Sequence, residues 1–375
     1  MTAFPRNPIF HLLSRGAART GKEIEAVTGE SRVTVTQKIA TLMEAGLIVI
    51  HGHAASDGGR RARTYTINPH HRNLIGIDIG EKMARICLFD LSYGFLDERL
   101  LSLDLRADPE IALTALEDHA RDLIQSPAAT APVVACGIGF PAPVDQRLGR
   151  VAAPSVMYGW EGLDLRRALR ERLGLPVAID NDVNLMCLAE YRLHRNDCRT
   201  FVFIKAGTGI GCGIINEGHL LRGAFGASGD IGHIQHTEPP ISLCRCGKEG
   251  CVESQAAGWA IARDLTALGL PANDARDVMA LYHRAEPECL KAINRSSRAI
   301  GTVAADLVAI LNPDMIVLGG QLAISGEAML AGIRERIYRK CLPLATERLQ
   351  IRTGSLDERL GATGAAMLAM EHAMQ

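Results

Sequence analysis

The chain has 375 residues, 47% of them hydrophobic and 22% charged, a globular balance that argues against wholesale disorder. Such a length corresponds to roughly two or three domains. No apolar run is long enough to span a membrane and the N-terminus lacks a secretory signal pattern, so we expect a cytoplasmic protein with no membrane partner.

The formal net charge of −1 is unevenly distributed along the chain. Residues 1–67 contain nine basic and five acidic side chains, a charge of +4, whereas the remainder carries −5. A basic N-terminal region on an acidic body indicates that only this region meets a polyanion. A solvated surface would carry the same charge, so the charge alone leaves both interpretations open.

The first 70 residues show helical spacing followed by strand patterns. Three short helices are predicted, and Ser31 is expected to cap the third. The apolar face of that helix repeats at Val35, Ile39 and Leu42. Two strands follow, at 47–50 and 64–67, joined by a connection rich in Gly and Arg.

This order of elements resembles a winged helix-turn-helix domain that binds double-stranded DNA. Polar side chains on the outer face of the third helix, and arginines of the connection, are expected to reach bases and phosphates. These residues are Arg32, Thr34, Gln37, Lys38, Arg60, Arg61 and Arg63. The alternative is a small helical packing domain with a solvated basic loop. Such DNA-binding domains usually act as dimers, so we expect a homodimer or tetramer.

The body repeats one pattern twice, with strands in succession followed by alternating helices and strands. This pattern predicts two α/β lobes facing a cleft. It resembles the sugar kinase–actin–Hsp70 superfamily, whose two-lobed body is ribonuclease H-like. The predicted domains are the winged helix-turn-helix at 1–70, a first lobe at 71–195 rejoined by a C-terminal amphipathic helix at 361–375, and a second lobe at 196–360 with a metal loop and dimerisation helices.

Four potential metal ligands lie close together in the second lobe. His233 is followed by Cys244, Cys246 and Cys251, and in a reducing compartment such a cluster indicates metal binding before a disulfide. One imidazole and three thiolates can fill a tetrahedral shell, which favours a structural Zn²⁺. His236 competes for the histidine position. The alternative for the cysteines is a group of free buried thiols.

The segments GASGDIGH, CRCGKEGC and VES occur in this order behind the predicted DNA-binding head. Together they resemble the ROK family of repressors, open reading frames and kinases, over essentially the whole chain. With such a head, the resemblance implies a sugar-responsive transcriptional repressor. It also assigns zinc to His233 and the three clustered cysteines.

The same resemblance implies a sugar site, formed by Asn181, Asp182, Asp230, His233 and Glu253. Amide and carboxylate groups suit the hydroxyls of a pyranose, and Asp182 matches the catalytic base of the kinases. Asp230 replaces the usual glutamate, so either the ligand differs or a water fills the gap. The alternative for the DNDVN segment at 180–184 is a helix N-cap rich in Asn and Asp.

A nucleotide site is doubtful. Family kinases open with an Asp-x-Gly-Gly-Thr-Lys-like turn, and this chain keeps Asp78 and Gly80 but has Glu81, Lys82 and Met83 at the last three positions. The second phosphate turn, with Thr208 and Gly209, is intact. We therefore predict a DNA-binding repressor of carbohydrate-use genes, controlled by a sugar in the cleft, and no enzyme activity. The alternative is an ATP-dependent hexose or N-acylhexosamine kinase with Asp182 as base.

Overall fold

The computed structural model describes residues 4–5, 7–16, 19–54, 61–152, 159–195, 197–236, 238–239 and 241–374. The chain divides into two compact units. The first unit comprises Met1–Phe140, Leu163–Asp180 and Gly361–Gln375, and the second comprises Pro141–Gly162 and Asn181–Leu360. Within these described ranges, no helix has both the length and the hydropathy to cross a bilayer.

The first unit begins with a head of three helices and a small sheet. Its elements are α1 (Pro8–Ser14), β1 (Arg19–Thr20), α2 (Gly21–Thr28), α3 (Arg32–Glu44), β2 (Ile48–His53) and β3 (Arg63–Ile67). The three helices and the two longer strands confirm the predicted elements. Strand β1 was not predicted, because two residues carry no periodic pattern. It pairs antiparallel with β3, and the sheet order is β1-β3-β2.

Local capping explains where the head helices start and stop. Thr20 and Glu23 form a reciprocal capping box at the start of α2, and Gly29 ends that helix with φ of 69°. Ser31 caps α3 by accepting the Thr34 N–H at 3.2 Å, as predicted. The side chains of α3 that enter the core are Val35, Ile39 and Leu42, the predicted apolar face.

The body elements follow in chain order. They are β4 (Asn73–Ile79), β5 (Met83–Asp90), β6 (Phe95–Ser102), α4 (Pro109–Ile124), β7 (Val133–Phe140), β8 (Val144–Asp145), β9 (Arg150–Val151), α5 (Leu165–Leu173), β10 (Val177–Asn181), α6 (Asp182–His194), β11 (Thr200–Ala206), β12 (Ile210–Asn216), β13 (His219–Leu220), α7 (Glu253–Ala256), α8 (Gly258–Ala267), α9 (Ala275–His283), α10 (Pro287–Leu311), β14 (Met315–Gly319), α11 (Glu327–Lys340), α12 (Pro343–Thr346), β15 (Gln350–Thr353) and α13 (Leu360–Ala373).

Each unit contains one five-stranded sheet, in the order β10-β7-β4-β5-β6 in the first and β13-β12-β11-β14-β15 in the second. In both sheets the leading strand pairs antiparallel with the next strand of the chain and parallel with a later one. This repetition confirms the predicted two-lobed α/β body.

Helix α13 lies directly on the first sheet. Gly76 and Gly137 are partners on the parallel strands β4 and β7. A Cβ on Gly76 would lie 1.9 Å from the carbonyl oxygen of Ala362, and one on Gly137 would lie 1.8 Å from that of Ala365. The helix is buried around most of its circumference rather than evenly amphipathic as predicted, because the sheet covers one face and the head covers its C-terminal end. Its partly exposed residues are Thr363, Met367, Glu371 and His372.

The head and the first lobe share one hydrophobic core. Head residues such as Phe10 and Ile39 belong to the same buried cluster as Ala369 and Met370 of α13. The hydroxyl of Tyr93 lies 3.4 Å from the carbonyl oxygen of Ser14 and 3.3 Å from the Sδ of Met370. The head is therefore packed on this lobe rather than tethered by a free linker.

The observed units differ from the predicted boundary at residues 195 and 196. Helix α6 belongs to the second unit, where it packs on strand β12. A Cβ on Gly213 would lie 2.3 Å from the Cβ of Cys187, so the two elements are in direct contact. The sequence pattern joined α6 to the preceding strand because strand and helix are consecutive, and consecutive elements usually pack together.

Candidate functional site

The predicted metal ligands come together on one loop of the second unit, residues 233–251, which we call the metal loop. The ligand atoms of His233, Cys244, Cys246 and Cys251 all lie within 4.8 Å of one another. The Sγ of Cys244 is 3.6 Å from the Nδ1 of His233, and the Sγ atoms of Cys246 and Cys251 are 3.7 Å apart. With Zn–S of about 2.3 Å and Zn–N of about 2.05 Å, a tetrahedron has edges of about 3.8 Å and about 3.6 Å. The donor set and spacing fit a tetrahedral metal ion.

Backbone geometry folds this loop back on itself. Gly247 and Gly250 have φ of 85° and 77°, values that favour glycine. The N–H of Cys244 donates to the carbonyl of Lys248 at 2.8 Å, which closes the turn between the thiols. The competing His236 is not among the clustered ligands; its Nδ1 accepts the N–H of Glu238 at 3.1 Å.

The cluster combines two thiols of raised pKa with one of lowered pKa. Burial and the neighbouring thiols raise the pKa of Cys251 to about 12, and burial raises the pKa of Cys244. Burial acts in the same direction on Cys246, but hydrogen bonds from the Lys248 N–H and the neighbouring thiols outweigh it and lower the pKa of Cys246. Metal binding therefore displaces protons from the cluster. A closed shell of this kind stabilises a fold and leaves no open position for chemistry.

Asn181 and Asp182 lie at the start of α6. The Oδ1 of Asn181 caps the helix by accepting the N–H groups of Val183 and Asn184, which supports the N-cap interpretation for this residue. Its Nδ2 donates to the carbonyl of Ala142 at 3.2 Å. Asp182 is buried, and its carboxylate forms an ion pair with Lys205 of β11.

Lys205 is a site residue that the sequence analysis missed. It interrupts the apolar strand FVFIKAG, and a lone charge in such a strand could have indicated a buried partner. Its ammonium group donates to one carboxylate oxygen of Asp182. The other oxygen of that carboxylate accepts the N–H of Val183 at 2.8 Å. The position that matches the kinase base is therefore held by two donors from the chain itself.

Glu253 begins α7 and is also bonded from several sides. Its Oε2 accepts the N–H of Ile210 at 3.1 Å. Its Oε1 accepts the Nη2 of Arg245 at 3.3 Å and the Nε1 of Trp259 at 3.2 Å. Arg245 and Trp259 were not predicted, because their partner is brought to them only by the folded metal loop.

The intact second phosphate turn is packed against this carboxylate. A Cβ on Gly209 would lie 2.8 Å from the Oε2 of Glu253. The carbonyl of Thr208 accepts the N–H of Trp259 at 3.4 Å, and that of Gly207 accepts the N–H of Gly258 at 2.8 Å. The glycine of this turn thus has a structural reason that involves no nucleotide.

The remaining predicted sugar ligands lie beside the metal loop. Asp230 has an exposed side chain, with its Oδ1 4.0 Å from the Nε2 of His233. Since the Nδ1 of His233 faces the thiols, its second ring nitrogen is turned toward Asp230. The predicted sugar site therefore consists of one group around Glu253 and the metal loop and another at the start of α6.

The first phosphate turn lies in the first unit. Gly80 donates its N–H to the carbonyl of Met83 at 2.8 Å, which closes a tight turn between β4 and β5. Within it the side chain of Glu81 is half-buried and that of Lys82 is exposed. A Cβ on Gly361 of α13 would lie 2.3 Å from the Oδ2 of Asp78, so this carboxylate meets the start of α13.

The predicted DNA contacts divide into exposed side chains and side chains engaged in hydrogen bonds or ion pairs. Arg32 and Gln37 of α3 and Arg61 and Arg63 beside the connection are exposed, whereas Arg60 lies outside the described residues. The Thr34 hydroxyl is hydrogen-bonded to that of Ser31 at 2.9 Å, and Lys38 forms an ion pair with Glu30. The structure adds Val33, whose side chain on α3 is 76% exposed and was not predicted.

Two curated relatives resemble this chain over most of its length. A xylose repressor of Caldicellulosiruptor bescii is 27% identical over 359 residues, covering 91% of this chain and 89% of its own. The transcriptional dual regulator NagC of Escherichia coli is 28% identical over 346 residues, covering 89% of this chain and 84% of its own.

Two solved structures also resemble this chain over most of its length. A ROK-family transcriptional regulator, a homologue of the Escherichia coli Mlc protein, has a TM-score of 0.81 at 23% identity and covers 98% of this chain and 95% of its own. A ROK-family glucokinase of Streptomyces griseus has a TM-score of 0.69 at 27% identity and covers 80% of this chain and 99% of its own. The sequence profile of the ROK family matches residues 74–372. With the lobes, the metal-ligand cluster and this match in agreement, the chain belongs to the ROK family.

Proposed function

We propose that this chain is a DNA-binding transcriptional repressor of carbohydrate-use genes, acting in the cytoplasm, and that a sugar or sugar derivative releases it from DNA. The observation that supports this most is the head. A regulator structure covers 98% of this chain, whereas a glucokinase structure, although matched over 99% of its own length, covers only 80%. The residues that precede the ROK-family match at 74–372 carry helix and hairpin elements suited to DNA.

In this proposal the head is a winged helix-turn-helix and α3 enters the major groove. Arg32 and Gln37 offer hydrogen bonds to base edges, and the exposed methyl groups of Val33 suit contact with a thymine methyl. Arg61 and Arg63 neutralise phosphates beside the groove. A homodimer, or a tetramer built from dimers, places two heads on the two halves of a palindromic operator.

We place the sugar on the second unit, at Asn181, Asp182, Asp230, His233 and Glu253. His233 and the three clustered thiolates hold a structural Zn²⁺, which stabilises the loop that carries Glu253. The coupling between sugar and DNA is limited by the difference in sugar affinity between the two states, about 1–3 kcal/mol in typical allosteric proteins.

The site does not favour a kinase. A base must accept the proton of the attacking hydroxyl, and the carboxylate of Asp182 is already paired with the ammonium of Lys205. In the first phosphate turn, the Glu81 carboxylate replaces a glycine where a phosphate would approach. A coupled ADP-release assay over a hexose panel, with Asp182→Ala as control, tests this directly. Turnover that disappears in the control would overturn the proposal.

DNA binding is tested by gel shift on the region upstream of the chain's own gene. Arg32→Ala should weaken binding about tenfold or more, because one base contact contributes about 1–3 kcal/mol. Arg170→Ala removes another exposed arginine, from α5, and should have no effect. A sugar panel added to the same assay should contain one compound that releases the DNA. If no sugar alters binding, the effector half of the proposal is wrong.

A further inference from the structure

Arg245 links the metal loop to the sugar site. It lies between two predicted metal ligands, Cys244 and Cys246, yet its side chain leaves the cluster. The guanidinium donates to the Oε1 of Glu253 at 3.3 Å and stacks over the ring of Trp259, 4.9 Å from its centroid. One side chain therefore touches both a proposed sugar ligand and an aromatic ring.

The contact is largely shielded from water. The side chain of Arg245 is 26% exposed and that of Glu253 only 10%. Hydrogen bonds between charged groups are among the strongest in proteins, and they strengthen when water is excluded. Arg245 is thus the charged donor that, with the Ile210 N–H and the Trp259 Nε1, fixes the orientation of the Glu253 carboxylate.

We infer that Arg245 is a positioning residue: it couples metal binding by the loop to the orientation of Glu253. The surroundings of the Trp259 ring change when the metal binds or leaves. With the metal bound, both neighbours of Arg245 are fixed, so its guanidinium is held on Glu253. Without the metal, the backbone at 244–246 is released and the guanidinium leaves. The sugar-binding part of this inference rests on the proposed function, whereas the link from Arg245 to Trp259 does not.

The first test uses tryptophan emission in the absence of sugar. The chain has two tryptophans, and loss of the signal in Trp259→Phe assigns it to the ring beside Arg245. Removing the metal with a chelator should shift the emission to longer wavelength, as water reaches the ring. Arg245→Met keeps all four metal ligands and should already show the shifted emission, with a metal content equal to that of the wild type.

Arg263 provides the matched control. Its guanidinium also lies over Trp259, 5.1 Å from the centroid, but it bonds to Asp264 and to the carbonyl of Ser254. Arg263→Met should therefore keep the response to the chelator. If Arg245→Met responds to metal removal as the wild type does, the inference is wrong.

The second test measures sugar affinity by calorimetry, using the compound that releases DNA in the gel shift. Arg245→Met should weaken binding about 10–100-fold, the scale expected when a buried carboxylate loses its charged hydrogen-bond partner. Removing the metal should lower the sugar affinity of this variant less than that of the wild type, because the variant already lacks the contact between residue 245 and Glu253. Unchanged affinity in Arg245→Met would refute the positioning role. If the wild type binds no sugar, the proposed function fails. The emission test still shows whether metal binding is coupled to Trp259 through Arg245.

Discussion

The turn between β4 and β5 and the turn between β11 and β12 occupy equivalent places in the two sheets. Each joins the leading strand of its unit to the antiparallel neighbour. In the second turn, Gly209 lies against Glu253 and has no room for a Cβ. In the first turn, Glu81 and Lys82 occupy the corresponding stretch. Gly209 stands where a neighbouring carboxylate needs the space, so the glycines of this turn do not by themselves indicate a nucleotide.

The residue two positions before the first glycine of each turn also has a different partner in the two units. Asp78 precedes Gly80 and meets α13, whereas Lys205 precedes Gly207 and pairs with Asp182 of α6. The second turn is thus surrounded by partners from the metal loop and from α6. The first is held by its own backbone and by α13. Changes near the metal loop should affect one turn and spare the other.

Metal removal should have the largest effect. Structural zinc contributes about 10 kcal/mol or more to the folding of small zinc-dependent peptides. We expect chelation to lower the melting temperature and to speed amide exchange at 207–210, while exchange at 80–83 stays unchanged. Cys246→Ser should act as chelation does. Cys341→Ser, at another partly exposed cysteine outside the cluster, should have little effect. Faster exchange in both turns would remove the distinction between them.

Lys205→Met should have the next largest effect. Removing one partner of a fully buried ion pair costs about 3–5 kcal/mol, and because Lys205 is a quarter exposed we expect about 1–3 kcal/mol in the free energy of unfolding. Lys340→Met, which breaks an exposed pair with Asp306, should cost about 0–1 kcal/mol. Denaturant unfolding measures both. Equal losses would show that the Asp182 pair gains nothing from burial.

Gly209→Ala should weaken sugar binding about tenfold, because the added methyl group displaces a carboxylate that binds the sugar in our proposal. Gly80→Ala is the counterpart in the first turn. Its Cβ would lie 3.2 Å from the carbonyl oxygen of Met83, a tight contact within the turn itself that involves none of the proposed sugar ligands, so affinity should not change. Calorimetry with the releasing sugar compares the two variants, and a weaker Gly80→Ala variant would contradict this distinction.

The smallest effect is expected from restoring the first turn. The double variant Glu81→Gly and Lys82→Thr restores two of the three altered residue types of a kinase-like turn and leaves Met83 unchanged. It should still transfer no phosphate, since Lys205 continues to hold Asp182. A coupled ADP assay is the measurement. Robust turnover in this variant would show that the first turn alone prevents catalysis.

Much of the fold was predictable because the patterns are local. Helical spacing and a capping serine placed α3, and apolar runs placed the longer strands of both sheets. The unit boundary and α13 were less well predicted. Helix α6 follows β10 in the chain but packs in the other unit, and the apolar residues of α13 do not reveal that both the head and the sheet cover it.

The candidate site likewise contains residues that the sequence predicted and residues that it did not. His233 and the three clustered cysteines were recognisable because one short loop carries all four donors. Lys205 and Arg245 were missed because their importance depends on partners in other elements. A charge in an apolar strand, and an arginine between two metal ligands, indicate a partner without identifying it.

By itself, the sequence determined the order of helices and strands, the group of four potential metal ligands and the basic character of the head. These depend on short-range spacing, capping and composition, which the linear chain displays. Only the tertiary structure decided that Asp182 is paired with Lys205, that Glu253 is paired with Arg245, and that the head and α13 share one core. Such contacts join residues far apart in the chain, and burial and hydrogen-bond geometry select them only after the elements have packed.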